Sequence, residues 1–198
     1  MRYVALGAVA FVIAGFFDLA ALRGWRYVKQ SIGLGALLLW GYAFVGLLRS
    51  SRRFWLPALL TWLAWPLLVV ATCLLIYSLF IEIPFRQTYA KGGVGYRLVT
   101  TGTYALCRHP GVLWFGLFLI GLILVSRACL LLPAALVWFC MDLLWVWVQD
   151  VYYFPRMFSG YRQYQQHTPM LLPTRRSIRR CRDGCMGGGG EGRGQAGH

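Results

Sequence analysis

Apolar residues fall in five blocks along the chain, separated by short polar stretches. Residues 3–22 are apolar apart from Asp18 and read as a first transmembrane helix. Arg2 resembles the charged start of a signal peptide, but Asp18 breaks the run, and Arg23 and Arg26 follow with no clear cleavage site. A second span is predicted over roughly 31–48, where Gly33, Gly35, Gly41 and Gly46 permit close helix packing. A third, over roughly 55–82, exceeds the ~20 residues a bilayer needs, so Pro66 is expected to kink it and tilt to take up the excess. The fourth covers roughly 111–126, and the tight turn at Ser126-Arg127 predicts a helical hairpin with a fifth at roughly 129–154. That last block is rich in Trp and Leu and turns polar at Gln149 and Asp150. Asp18 is an acid inside a span, which faces the bundle interior as either a hydrogen-bond partner for a neighbouring helix or a substrate contact.

Two polar passages interrupt this pattern. The loop 83–109 holds Arg86, Lys91, Arg97 and Arg108 and is long for a helical connection, which points to function rather than a plain linker. Gly92, Gly93, Gly95 and Gly102 let its backbone turn and approach a ligand. Arg108 suits a carboxylate or phosphate, His109 brings an imidazole, the side-chain type whose charge can change near neutral pH, and Pro110 fits the first position of the next helix. The plainer reading is a loop whose arginines sit at the membrane surface. After Pro155, Phe158, Tyr161 and Tyr164 recur at three-residue spacing among polar residues, which predicts an amphipathic interfacial helix ended by Thr168-Pro169 and Pro173. The chain thus divides into spans 1–82, a core at 83–175, and a basic Gly-rich tail at 176–198. The tail is expected to be disordered and to face the membrane.

Composition narrows the class. The chain has 198 residues, 59% hydrophobic and only 13% charged, against about 25% charged in a soluble domain. The expected fold is all-α: a polytopic membrane helix bundle of about five transmembrane helices with a C-terminal interfacial helix. The net charge of +14 lies between spans and in the tail, a distribution that fits anionic headgroups rather than nucleic acid. Cys73, Cys107, Cys129 and Cys140 sit in or beside apolar segments, and Cys181, Cys185 and His198 match no established metal spacing. Five spans put Arg23, Arg26, Lys29, the central loop and the tail on one side. Only Arg2, Arg49, Arg52, Arg53 and Arg127 fall on the other. The rich side is expected to be cytoplasmic, with the N-terminus outside.

Tyr96, Arg97, Tyr104, Arg108, His109, Gln149, Asp150, Tyr161 and Tyr164 are therefore expected near one face. They form no nucleophilic triad with recognisable context, no HExxH, no P-loop, no glycosidase pair and no metal site. What remains is a pocket of aromatic rings, backbone amides, one acid and two arginines. Such a pocket suits a nucleotide-like ligand with charged ends, and aromatic faces also hold a sulfonium cation.

Leu98-Val99-Thr100-Thr101-Gly102-Thr103-Tyr104 followed by Arg108-His109-Pro110 resembles the signature of the isoprenylcysteine carboxyl methyltransferase and phospholipid methyltransferase superfamily, approximately LVTxGxY then RHPxYxG. Asp150, eight residues before Phe158, stands where that family usually has a glutamate. Phe158, Tyr161, Tyr164, Thr168-Pro169 and Pro173 are similar to its FGxxYxxYxxxVPxxxP ending, shortened by one residue. The resemblance covers residues 86–175. It implies a membrane-embedded enzyme using S-adenosylmethionine at the cytosolic face. Tyr96, Arg97, Leu98, Val99, Tyr104, His109, Pro110 and Asp150 would then lie along the cofactor, and Arg108, His109 and Asp150 would serve catalysis. The acceptor would be a lipid or lipidated small molecule. His109 or Asp150 would accept a proton from an amine or hydroxyl acceptor.

Val112 replaces the family's tyrosine, Trp114 its glycine, and Gln149-Asp150 its acidic pair. Val146 stands where an arginine binds the substrate carboxylate in the isoprenylcysteine enzymes, which argues for a different acceptor or for lost activity. Two other classes share the pattern. One is a nicotinamide-dependent membrane reductase of the sterol-reductase type, and the other a membrane scaffold without turnover.

Overall fold

The structure, a computed structural model, describes residues 1–83 and 98–187, with side chains as far as Arg182. The glycines Gly92, Gly93 and Gly95, with Arg86, Lys91, Tyr96, Arg97 and His198, lie outside the described residues, as does the side chain of Cys185. Among the described residues all regular structure is helical, and the chain is a membrane helix bundle. Helix is the expected outcome, because an apolar run in lipid must satisfy each backbone N–H and C=O within itself.

Helices α1 (Arg2–Leu22) and α2 (Arg26–Ser50) form an antiparallel hairpin. Gly24 turns it at φ 70°, with Gly24 N–H donating to Ala21 O (3.1 Å) and Trp25 N–H to Ala20 O (2.9 Å). This is a Schellman ending, and the left-handed backbone position favours glycine. Helix α3 (Ala58–Ile76) continues into a π-helical turn at Tyr77–Ile81, and Pro66 sits inside it. After the four-residue α4 (Thr103–Leu106), α5 (Pro110–Ser126) lies antiparallel along α3. The two backbones approach so closely at Gly121 that a Cβ there would sit 3.0 Å from Leu68 Cα. Small residues permit such crossings where lipid supplies no hydrophobic force between helices.

Helix α6 (Leu131–Val148) packs against α1 and α5 and runs through a π turn at Gln149–Tyr153 into α7 (Phe154–Met157). Trp138 of α6 is the centre of the core, at 0% exposure. Its indole N–H donates to Val4 O at 3.1 Å, and Gly7 leaves its ring room that any Cβ would occupy. Trp40 packs on it from α2, with ring centroids 5.3 Å apart. Among the described residues four helices are long and apolar enough to cross a bilayer: Arg2–Leu22, Arg26–Ser50, Ala58–Ile81 and Leu131–Met157. Helix α5 is the fifth apolar helix, with 17 residues. It covers about 26 Å at ~1.5 Å per residue, a little less than the ~30 Å hydrocarbon core.

At one end of the bundle the link after α2 is stitched to the turn between α5 and α6. Phe54 N–H donates to Arg127 O (2.9 Å) and Cys129 N–H to Arg52 O (2.8 Å). The other end carries the close of α3, α4, the start of α5, the π turn after α6, and the C-terminal helices.

The aromatic segment is helical as expected, the seven-residue α8 (Tyr161–His167), and it turns Tyr161 and Tyr164 into the bundle, where they are buried and their hydroxyls find acceptors. One sequence expectation changes here. The chain from Arg175 was expected to be disordered, yet Arg175–Gly187 is helix α9. Its first turn is closed reciprocally: Ser177 N–H donates to Thr174 Oγ1 (3.2 Å), and Thr174 N–H donates to Ser177 Oγ (2.9 Å). This is a capping box built with serine at its third position. Ser177 is fully buried, and the Cys181 thiol donates to Gly102 O (3.3 Å), so α9 is docked on α4.

Asp142 lies midway along α6, half-buried, and makes no hydrogen bond or ion pair among the described residues. An acid in a span without a partner is a net cost. We expect Asp142→Leu to raise the thermal stability of the purified protein in detergent by about 1–3 kcal/mol. A lower melting temperature would mean that the carboxylate has a stabilising partner.

Candidate functional site

The site is built where the central loop meets the far end of α6. Glu82, just past the π turn of α3, accepts hydrogen bonds from Thr103 N–H (2.6 Å) and from the Thr103 hydroxyl. The carboxylate thereby caps the N-terminus of α4, where negative charge is favoured. Gly102 has φ 59°, and a Cβ on it would fall within that carboxylate, so this position requires glycine on two counts. Tyr104 donates its hydroxyl to Ser78 O (3.1 Å) in the π turn, and Tyr164 donates to Tyr104 O (2.5 Å). Tyr104 therefore braces α3 against α8.

His109 is the N-cap of α5, and Pro110 takes the first helical position. Before it, the loop pairs with the chain after α8: Arg108 N–H donates to Pro169 O (2.9 Å) and His109 N–H to Met170 O (3.1 Å). These bonds aim both side chains at Asp150, which the π turn carries inward at 4% exposure.

Asp150 is the hub. Arg108 grips it with two prongs, Nε to Oδ1 at 2.8 Å and a terminal nitrogen to Oδ2 at 2.7 Å. Tyr161 donates its hydroxyl to Oδ1 at 2.6 Å. His109 Nε2 lies 3.3 Å from Oδ1, and an ionised carboxylate only accepts, so Nε2 is the protonated nitrogen. Gln165 donates to Oδ2 at 3.1 Å and to the Asp150 carbonyl at 2.9 Å. A carboxylate offers about four lone-pair sites, so five donors leave no acceptor position open. The remaining Arg108 nitrogen donates to Gln165 O (3.2 Å) and to Thr168 O, tying α8 and its exit to the same guanidinium. His109 also stacks on Phe154, with ring centroids 5.5 Å apart and 17° between planes.

Environment sets the proton affinities. Burial pushes the Tyr161 phenol above its ordinary value, and the hydrogen bond and charge of Asp150 add to this. Burial also raises Tyr164, and it lifts the Cys107 thiol to about 11. Arg108 is raised despite its burial, because the Asp150 hydrogen bond and charge favour the cation.

Of the expected site residues, the structure brings together Arg108, His109, Asp150, Tyr161 and Tyr164, with Tyr104 one hydrogen bond away. Pro110 is buried beneath them. Leu98 and Val99 are half-buried in the irregular run before α4. Tyr96 and Arg97 lie outside the described residues. Gln149 parts from its neighbour: its amide donates to Asp18 Oδ2 (2.6 Å), beside Trp145 Nε1 (3.0 Å). Asp18 thus serves as a hydrogen-bond partner for a neighbouring helix. Glu82, Phe154 and the two-pronged use of Gln165 were not singled out from sequence. Glu82 had one usable signal, an acid near a Gly-Thr that starts a helical turn.

An open groove of ≈560 Å³ adjoins the cluster. Its floor is Arg108 with Gln165, Gln166, His167 and Thr168, and its wall is Thr174, Arg175, Arg176 and Arg180 from the start of α9.

No family model matches the chain, and neither curated proteins nor solved structures include a match to it.

Two outcomes test the hub. Removing Asp150 strands the Arg108 guanidinium, whose side chain is only 10% exposed. Asp150→Ala should cost about 3–5 kcal/mol, read as a fall in melting temperature in detergent. The raised phenols and thiol are held neutral in the fold. Their contribution is complete below the unfolded values of 9.0 for Cys and 10.0 for Tyr and is lost as pH rises through the folded ones. Stability should hold steady up to about pH 9 and fall above it, with a shallower fall in Tyr161→Phe. A melting temperature that climbs between pH 9 and 11 would contradict the assignment.

Proposed function

We propose that this chain transfers a methyl group from S-adenosylmethionine to a lipophilic acceptor at the membrane face that carries the Asp150 hub. The observation that supports this reading is the convergence of the two motif halves. Arg108-His109 and Asp150 are more than 40 residues apart with a helical hairpin between them, yet they share one carboxylate. Methyl transfer is a displacement that needs in-line approach and little acid–base chemistry, so positioning and exclusion of water supply most of the rate. That demand suits a site whose ionisable groups are already committed to one another. In this reading His109, Arg108 and Asp150 hold the loop, and Tyr104, Leu98, Val99 and Pro110 shape the cofactor's surroundings. The acceptor enters laterally from the bilayer. The hub faces the cytoplasm, with the N-terminus outside, because the basic residues concentrate at its end of the bundle.

One observation favours a second reading, a nicotinamide-dependent membrane reductase. Arginines wall the groove beside the hub, and they suit the phosphates of a dinucleotide better than a sulfonium cation.

The test is direct. The full chain in lipid nanodiscs is titrated with S-adenosylmethionine and, separately, with NADPH. Membranes are then incubated with methyl-labelled S-adenosylmethionine and their lipids extracted. Methyl transfer predicts saturable S-adenosylmethionine binding, a labelled lipid, and binding weakened about tenfold or more in folded His109→Ala. Binding of NADPH alone would transfer the assignment to the reductase. Saturable S-adenosylmethionine binding with no labelled lipid would leave a scaffold.

A further inference from the structure

We propose that the groove between α8 and α9 is a binding site for a phosphate-bearing anion, held chiefly by Arg176 and Arg180 with Arg175 at its rim. This goes beyond methyl transfer and does not depend on it.

Charge is the first ground. Arg108 on the groove floor is already matched by Asp150. Arg175, Arg176 and Arg180 make no ion pair or hydrogen bond among the described residues, and the oxygens of Asp150 beside them are taken. Three exposed guanidinium groups therefore line one open groove with no counter-charge from the described residues. Arg176 and Arg180 are four residues apart and project from one face of α9, where like charges repel. Arg175 and Arg176 also sit in the first turn, where the helix dipole disfavours cations. A bound anion offsets both penalties.

Order is the second ground. These arginines stand on an anchored helix: the Thr174–Ser177 box closes its start, Ser177 is buried, and Cys181 bonds Gly102 O. The α8 wall is fixed in turn by Arg108 and Tyr164. The open groove, ≈560 Å³, is also lined by the neutral side chains of Gln166 and Thr174.

Residue type is the third ground. The helix Arg175–Gly187 carries five arginines and no lysine. The planar guanidinium fork matches two phosphate oxygens at once, whereas lysine offers only a point charge. Carboxylates fit the fork too, but a phosphate also engages a second guanidinium with its remaining oxygens, which is what a paired row offers. A lipid headgroup and a free phosphate share this chemistry.

The chain supplies its own control. Arg179 is also on α9, but it does not line the groove; it lines a smaller depression with Ile178, Arg182 and Arg175, the last of which borders both. Arg176→Gln and Arg179→Gln each remove one positive charge from the same helix. The full chain in a non-ionic detergent is titrated calorimetrically with inorganic phosphate and with dihexanoyl phosphatidic acid. The site predicts saturable binding, weakened about tenfold in Arg176→Gln and less than twofold in Arg179→Gln. Tighter binding of the lipid than of inorganic phosphate assigns a headgroup, and equal binding assigns a free phosphate. Equal losses in the two variants would overturn the site in favour of diffuse surface attraction. Absence of saturable binding by either probe would overturn it altogether. Neither outcome bears on S-adenosylmethionine binding, so the failure of one proposal is distinguishable from the failure of the other.

Discussion

Everything at the polar end of this bundle depends on one buried carboxylate and the guanidinium that grips it. Taking an arginine and an aspartate out of water is expensive, and their attraction repays it only when the geometry is good and the remaining donors are used. Here they are used. Arg108 spends one edge on Asp150 and another on the carbonyls of Gln165 and Thr168, and Tyr161, His109 and Gln165 complete the carboxylate. Five stretches of chain therefore meet at a pair of side chains: the central loop, the start of α5, the end of α6, α8 and the segment that leaves it.

The π turns make this convergence possible. Both the third span and the last one widen into a π-helical turn where they reach the polar end. In α6 the turn begins at Gln149, which bonds Asp18 on α1, while Asp150 goes to Arg108. Adjacent residues thereby serve two different neighbours. In α3 the turn presents Ser78 O to Tyr104 and places Glu82 under Thr103. Single-turn π insertions of this kind are common at functional sites.

Much of the architecture could be read from the chain itself, because period and length carry it. The five apolar blocks match the five apolar helices to within a few residues, and the hairpin at Ser126-Arg127 forms as expected. Arg108, His109 and Asp150 were legible as a group because a polar residue beside a span must find a partner. Other features depended on partners far along the chain. Nothing local distinguishes Tyr161 and Tyr164 as inward hydrogen-bond donors from ordinary interfacial aromatics. The order of α9 rests on Thr174 and Ser177 closing a turn and on a cysteine reaching a glycine carbonyl 79 residues away, which composition hides. Asp142 is hidden inside a Trp- and Leu-rich run, although an acid in the middle of a span is itself a signal.

The long separation of Arg108 from its partner has a consequence for biosynthesis. As the ribosome delivers the chain, the guanidinium emerges before its own partner is made, and α5 and α6 must both be synthesised before Asp150 arrives. Because the arginine lies between apolar spans, it can wait hydrated at the water interface at little cost. The full set of bonds around the pair needs α8 and the segment through Met170 as well. A chain truncated before that point would carry every apolar span and an incomplete site.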